Sequence, residues 1–282
     1  MSREHTSPMI SAAALHDILP QVIVLDCRFS LADTAEGQRL YEQHHIPGAY
    51  YCDLEQHLSA AKQAHGGRHP LPEPQRFQRQ LAQWGISPDS HVVVYDNNRL
   101  AFASRAWWLL RQAGVAQVQL LNGGYGAWCN GGYPQSSAVP AAASATTGAC
   151  TGTPDSLSYE QMRIMAAERF IPLIDSREAP RYRGEMEPID PVAGHIPGAL
   201  NLPWTDVCDA AGFIQPAEFH RQRWAPFQGQ QPVIYCGSGV TACVNLLSAQ
   251  LAGQPARLYP GSWSDWCSYA DAPVATAISH GN

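Results

Sequence analysis

The chain repeats itself. VIVLDCR (22–28) returns as IPLIDSR (171–177) and HHIPGA (44–49) as GHIPGA (194–199). VVVYD (92–96) returns as PVIYC (232–236), and LLNGGYGAW (120–128) as LYPGSWSDW (258–266). Four matched blocks in one order, displaced by 149, 150, 140 and 138 residues, define a duplicated domain. The step from 150 to 140 puts about ten additional residues in the first copy, after its HIPGA block and near 60–74. The alignment pairs Asp26 with Asp175, Arg28 with Arg177, His45 with His195 and Trp128 with Trp266. It also sets Asp96 against Cys236. A length of 282 residues suits two domains, each able to bury its own core. The copies are expected over 8–134 and 157–278. Residues 135–156, rich in Ala, Ser, Thr, Pro and Gly and without apolar periodicity, read as the linker between them.

Within each copy, short β-branched runs alternate with helical patterns. IPLID (171–175) and PVIYC (232–236) are continuous apolar runs, the mark of strands buried on both faces of a parallel sheet. VTACVNLLSAQLAG (240–253) and ASRAWWLLRQAG (103–114) carry helical spacing and close on Gly253 and Gly114 as glycine C-caps. The expected fold is therefore α/β, two tandem domains, each a mainly parallel sheet flanked by helices. Ligands in such folds sit at the carboxyl ends of the strands, where Cys236 stands.

Composition removes several classes of function. With 45% hydrophobic residues the chain is not disordered, and a net charge of −6 argues against a nucleic-acid partner held through phosphates. No apolar run reaches the ~20 residues that cross a bilayer, so no membrane partner is expected. The first 26 residues lack the pattern of an export signal, which predicts a cytoplasmic protein with reduced thiols. The eight cysteines form no CxxC pair and none is spaced with His as in a zinc site, so neither a metal nor another cofactor is expected. His45 and His195 lack a ligand set for a metal. With Asp26, Arg28, Asp175 and Arg177 they read as structural, since both copies keep them. Trp128 and Trp266 read as residues that pack the last helix of each copy.

Cys236 directly follows a buried strand and precedes a helix, in Cys236-Gly237-Ser238-Gly239-Val240-Thr241-Ala242. Two glycines allow positive φ and a tight curl that turns N–H groups toward the sulfur, a nest at a helix N-terminus that favours the thiolate. Phosphatase chemistry on such a loop needs Cys-x5-Arg, with the arginine clamping phosphoryl oxygens. Ala242 stands at that position, which excludes it. In the first copy Asp96 replaces the cysteine and Asn97-Asn98-Arg99 lacks the glycines. A carboxylate is no thiolate nucleophile, so that copy is expected to support rather than catalyse, and Asp96→Cys to create no second site.

Over residues 10–275 the chain resembles the tandem-domain rhodanese-like sulfurtransferases, through both HIPGA segments, the Asp-x-Arg after each first strand, the CGSGVTA loop and the GSWSDW block. CGSGVTA is similar to the active-site loop of 3-mercaptopyruvate sulfurtransferases. Thiosulfate sulfurtransferases of this architecture carry Arg-Lys at the positions of Gly237 and Ser238. The resemblance implies a sulfurtransferase in which Cys236 takes sulfur from 3-mercaptopyruvate as a persulfide and passes it to cyanide or to a thiol, thioredoxin or a small one. Thiosulfate as donor, or a non-catalytic sulfur carrier, are the alternatives. It further implies donor binding by Arg181 and by the loop residues Gly237, Gly239, Val240 and Thr241. His69, in GGRHPLP (66–72), is placed with Ser238 in a proton relay to the departing enolate, oriented by Asp53 or Glu55. The family's second substrate arginine is missing, its place taken by Ile189, with Arg183 nearby as a partial substitute. On this count the loop has lost two positive charges, which predicts a preference for 3-mercaptopyruvate over the dianion thiosulfate.

Overall fold

The computed structural model describes residues 7–143, 148–169 and 171–276, so part of the expected linker (144–147), the start of the chain and positions 277–278 of the second domain lie outside the described residues. The chain divides into two compact units. One comprises 1–59, 72–154 and 208–214, the other 60–71, 155–207 and 215–282. This departs from a simple division at the linker. The segment 60–71, the additional stretch of the first copy, belongs to the second unit, and 208–214 belongs to the first.

The first unit contains β1 (Met9–Ile10), α1 (Ala12–Ile18), β2 (Ile23–Asp26), α2 (Glu36–Gln43) and β3 (Tyr50–Tyr51). It continues through α3 (Pro74–Gln83), β4 (His91–Tyr95), α4 (Ala103–Gln112), β5 (Gln117–Leu121) and α5 (Gly124–Asn130). Its sheet runs β1-β5-β4-β2-β3, parallel throughout. The second unit contains α6 (Tyr159–Glu168), β6 (Leu173–Asp175), α7 (Ala179–Tyr182), β7 (Leu200–Asn201) and α8 (Ala217–Trp224). Then follow β8 (Val233–Tyr235), α9 (Ala242–Leu251), β9 (Arg257–Leu258) and α10 (Ser262–Trp266). Its parallel sheet has order β7-β6-β8-β9, and the counterpart of β1 shrinks to one parallel bridge between Ser156 and Leu258. Both α4 and α9 are buried almost along their whole length, as helices that cover a sheet and carry few polar residues must be.

The duplicated polar residues hold turns. Arg28 pairs with Asp26 and donates to the His44 carbonyl at 2.7 Å. In the same way Arg177 pairs with Asp175 and donates to the Gly194 carbonyl at 2.6 Å. These ion pairs are buried at the ends of β2 and β6, where each charge is neutralised and hydrogen-bonded as burial demands. His45 and His195 stack on Tyr41 and Tyr182, and each ring Nδ1 lies within 2.7 Å of that tyrosine's carbonyl oxygen. Trp128 and Trp266 are fully enclosed in the two cores, each indole N–H donating to a proline carbonyl (Pro134 and Pro273).

Candidate active site

At the end of β8 the chain is pinned from two sides. The Cys236 N–H donates to Ser262 Oγ (3.1 Å), which in turn donates to the Tyr259 carbonyl (2.9 Å). The N–H groups of Trp263 and Ser264, in the first turn of α10, donate to the carbonyls of Cys236 and Gly237. That explains why a GSWSDW block accompanies the CGSGVTA loop. Gly239 has φ +76°, and a Cβ there would collide with Pro260, so both conformation and space require glycine. The Gly239 N–H donates to Cys236 Sγ at 3.2 Å, a charge-assisted contact once the sulfur is a thiolate. Val240 is buried, with its carbonyl accepting from Cys243 N, and Thr241 opens α9 as its N-cap. Cys236 itself is 1% exposed. Burial pushes the thiols of Cys208 up to about 12 and of Cys267 up to about 11, so both stay protonated at neutral pH.

Segment 60–71 delivers His69. Gly66 N–H donates to Asp265 Oδ1 (2.7 Å), Arg68 N–H to Ser264 Oγ (3.1 Å), and His65 Nδ1 meets Ser268 Oγ at 2.7 Å. Held this way along α10, the segment places His69 Nδ1 2.8 Å from Ser238 Oγ, both residues about 5% exposed. With the proton on Nδ1, Ser238 accepts and its own hydrogen turns outward. With the proton on Nε2, Ser238 donates to the ring. Either tautomer of the ring therefore satisfies the contact. The Asp53 carboxylate accepts from Glu55 N, Gln56 N and Tyr51 Oη, capping its own turn in the first unit, and Glu55 is exposed.

Two arginines converge on Gly237. A Cβ at that glycine would lie 3.0 Å from Arg68 Nη2 and 3.5 Å from both terminal nitrogens of Arg181. Gly237 is not at positive φ, so its glycine gives the two guanidinium groups close approach rather than curvature, against the expectation that both loop glycines serve curvature. Arg181 donates to Glu187 (2.6 Å) and to Asp190 Oδ2 (3.4 Å), and Arg68 pairs with Asp190 Oδ1. Burial raises the Glu187 carboxyl, but the Arg181 hydrogen bond and the backbone N–H groups of Asp190 and Ile189 outweigh it and leave it below the ordinary range. The loop itself carries no charge, and the guanidinium groups that stand over it from outside are paired with Glu187 and Asp190. Arg183 is not among them, being half-exposed and paired with Glu185. Arg68 was missed in the sequence because a lone arginine in a loop has no periodicity, and its partner Asp190 lies 122 residues away.

The matching loop of the first unit is closed differently. Asp96, fully buried, accepts from the N–H groups of Asn98 (2.8 Å), Leu100 (3.1 Å), Phe102 (2.9 Å) and Ala103 (2.9 Å). Arg99 and Leu100, at φ +54° and +67°, supply the curl expected of glycine alone. The lack of glycines therefore does not prevent a nest, and Asp96 fills it with its own carboxylate. Burial pushes that carboxyl up, only partly offset by the four donors. Among the described residues, no three His, Cys, Asp or Glu side chains gather to hold a metal.

Comparison with known proteins gives the same answer from another direction. The rhodanese-like domain model matches residues 11–131 and 158–269. A Pseudomonas aeruginosa protein named probable 3-mercaptopyruvate sulfurtransferase is 45% identical over 267 residues, covering 91% of this chain and 93% of that one. The thiosulfate sulfurtransferase of Mus musculus is 34% identical over 274 residues, covering 93% and 90%. The crystal structure of SseA from Escherichia coli, described as a 3-mercaptopyruvate sulfotransferase of rhodanese fold, superimposes with a TM-score of 0.80 at 29% identity over 92% of this chain and all of the other. The duplicated sheets, the cysteine loop and these relatives agree: the chain belongs to the rhodanese-like family, as a sulfurtransferase built of two rhodanese-like domains.

Proposed function

We propose that the protein takes sulfur from 3-mercaptopyruvate onto Cys236. The observation that carries this reading is the His69–Ser238 contact of 2.8 Å beside the cysteine. Attack of the Cys236 thiolate on the donor sulfur forms an S–S bond and breaks the C–S bond. The electron pair stays on carbon as the enolate of pyruvate, and Cys236 becomes a persulfide. A hydroxyl that hands on a proton answers that enolate, holding its oxygen while carbon is protonated. A thiolate acceptor then attacks the outer sulfur, carries it away and returns the Cys236 thiolate; cyanide takes it as thiocyanate. A small thiol or thioredoxin is the proposed acceptor and the cytoplasm the proposed compartment, in keeping with eight free cysteines. Among the described residues no helix is long and apolar enough to cross a membrane.

A second donor, thiosulfate, is favoured by the two guanidinium groups over Gly237, which suit a dianion. One experiment separates the donors. The purified protein is exposed to each alone, the mass of the Cys236 peptide is read, and the co-product is counted. The proposal expects one added sulfur and one pyruvate per chain, a higher kcat/KM for 3-mercaptopyruvate, and neither signal in Cys236→Ser. Faster loading from thiosulfate would transfer the assignment to that donor.

A further inference from the structure

We infer that Arg68 is the second anion-gripping cation of the Cys236 site, aligned with Arg181 by the carboxylate of Asp190 that lies between them. The inference deepens the sulfur-donor reading, since it names what holds the donor's anionic end. Three observations carry it. First, Asp190 is 3% exposed at its side chain and uses one oxygen for each arginine, so it fixes the two guanidinium planes against one another. Second, the nitrogens so engaged are not the whole set. Arg68 Nη2 and Arg181 Nη1 make no hydrogen bond among the described residues, yet both stand within 3.5 Å of the position a Gly237 Cβ would take. Third, Gly237 is not at positive φ, so what its missing side chain permits is the close approach of the two arginines to the loop.

Two donors drawn together over Gly237, the residue after the nucleophile, make a fork for a planar carboxylate or for a sulfonate-like group. Asp190 and Glu187 balance Arg68 and Arg181 in charge, so the fork holds an anion by directed hydrogen bonds more than by net charge. That favours a small donor of fixed geometry. Ile189, beside Asp190, offers no such group, and Arg68 reaches the same loop from a segment more than a hundred residues earlier.

The test uses alkylation, which needs no sulfur donor. Iodoacetate and iodoacetamide both form an S–C bond with Cys236 and release iodide, but only the first carries a carboxylate. Their rate ratio at Cys236, read by peptide mass spectrometry and divided by the ratio for free cysteine, measures anion capture alone. Arg68→Ala should lower that ratio about tenfold, the equivalent of ~1.4 kcal/mol for one charged hydrogen bond in a partly screened site. Arg68→Lys should keep part of it, and the iodoacetamide rate should stay within about twofold, which also shows that the loop remains formed. With 3-mercaptopyruvate the same variants should raise KM more than they lower kcat. An unchanged ratio in Arg68→Ala overturns the inference, as does an equal fall for both reagents, which would assign Arg68 to loop shape. Should the wild type fail to turn over 3-mercaptopyruvate while the ratio still follows Arg68, the donor is wrong and the fork stands.

Discussion

Replacing Gly239 by alanine tests whether the loop geometry, rather than the cysteine alone, makes the site. Two costs arise, and the structure lets them be measured apart. At φ +76° an L-residue loses about 1–2 kcal/mol relative to glycine. In addition the new Cβ would sit 2.9 Å from both the carbonyl carbon and Cα of Pro260 and nearer still to its oxygen, inside the 3.0 Å that real Cβ atoms keep. Backbone cannot swing aside as a long side chain does, so the loop must retreat by about 1 Å, and a displacement of that size at a reacting atom costs about a hundredfold in rate. Gly253→Ala is the control. Its φ is +71°, but nothing lies within 4 Å of its Cβ position, so it carries the backbone cost without the collision. Urea unfolding and steady-state turnover of both variants decide the matter. Gly253→Ala should lose about 1 kcal/mol of stability and keep its kcat, while Gly239→Ala should lose more stability and about a hundredfold in kcat. Equal activity in the two variants would refute the claim that the Gly239 turn positions the sulfur.

Asp96→Ala should leave kcat within about twofold yet lower unfolding free energy by about 2–4 kcal/mol, because the N–H groups of Leu100, Phe102 and Ala103, all buried, and that of Asn98 lose their acceptor. The pH dependence has a definite sign. Burial raises the folded-state value of Asp96, so its contribution is largest below the unfolded carboxylate range and shrinks as pH rises through the folded value. The stability gap between wild type and Asp96→Ala, read by denaturant titration at several pH values, should therefore narrow from acid toward neutral; a widening gap would contradict it. His69→Ala should cut kcat with 3-mercaptopyruvate about a hundredfold, while thiosulfate, whose sulfite leaves without an enzyme proton, loses less than about tenfold; equal losses would remove the relay. Gly237→Arg combined with Ser238→Lys should depress both donors, since the new side chain displaces Arg68. The ratio should still move toward thiosulfate by about tenfold as Ser238 is lost, and an unmoved ratio counts against the proton-transfer role.

The layered fold was legible because its signals are local or periodic. Buried runs such as 232–236, helical spacing closed by Gly253, and the recurrence of whole blocks require no knowledge of distant contacts. Cys236 stood out for the same reason, being a strand-end cysteine with its loop glycines beside it. The partners of the site were harder. Ser238 and His69 are 169 residues apart, and only resemblance joined them. Arg68 had no such help. The ten-residue mismatch between copies marked where the chain departs from its repeat, but a length difference says nothing about which core a segment packs against. The Asp96 nest was hidden too, because Arg99 and Leu100 adopt left-handed backbone that composition assigns to glycine.

Segment 60–71 also bears on the order of events in folding. The contacts that seat it in the catalytic unit span 199 residues between Gly66 and Asp265 and 203 between His65 and Ser268. Loops of that length close late, after elements with nearer partners have formed. During synthesis His69 and Arg68 leave the ribosome early and then wait until α10 is made. A ribosome that stops after β8 has produced the nucleophile but no surface to dock its helpers. Neither repeat can therefore be trimmed away as redundant: deleting the copy that carries Asp96 would also remove the segment that brings His69 to the loop of Cys236.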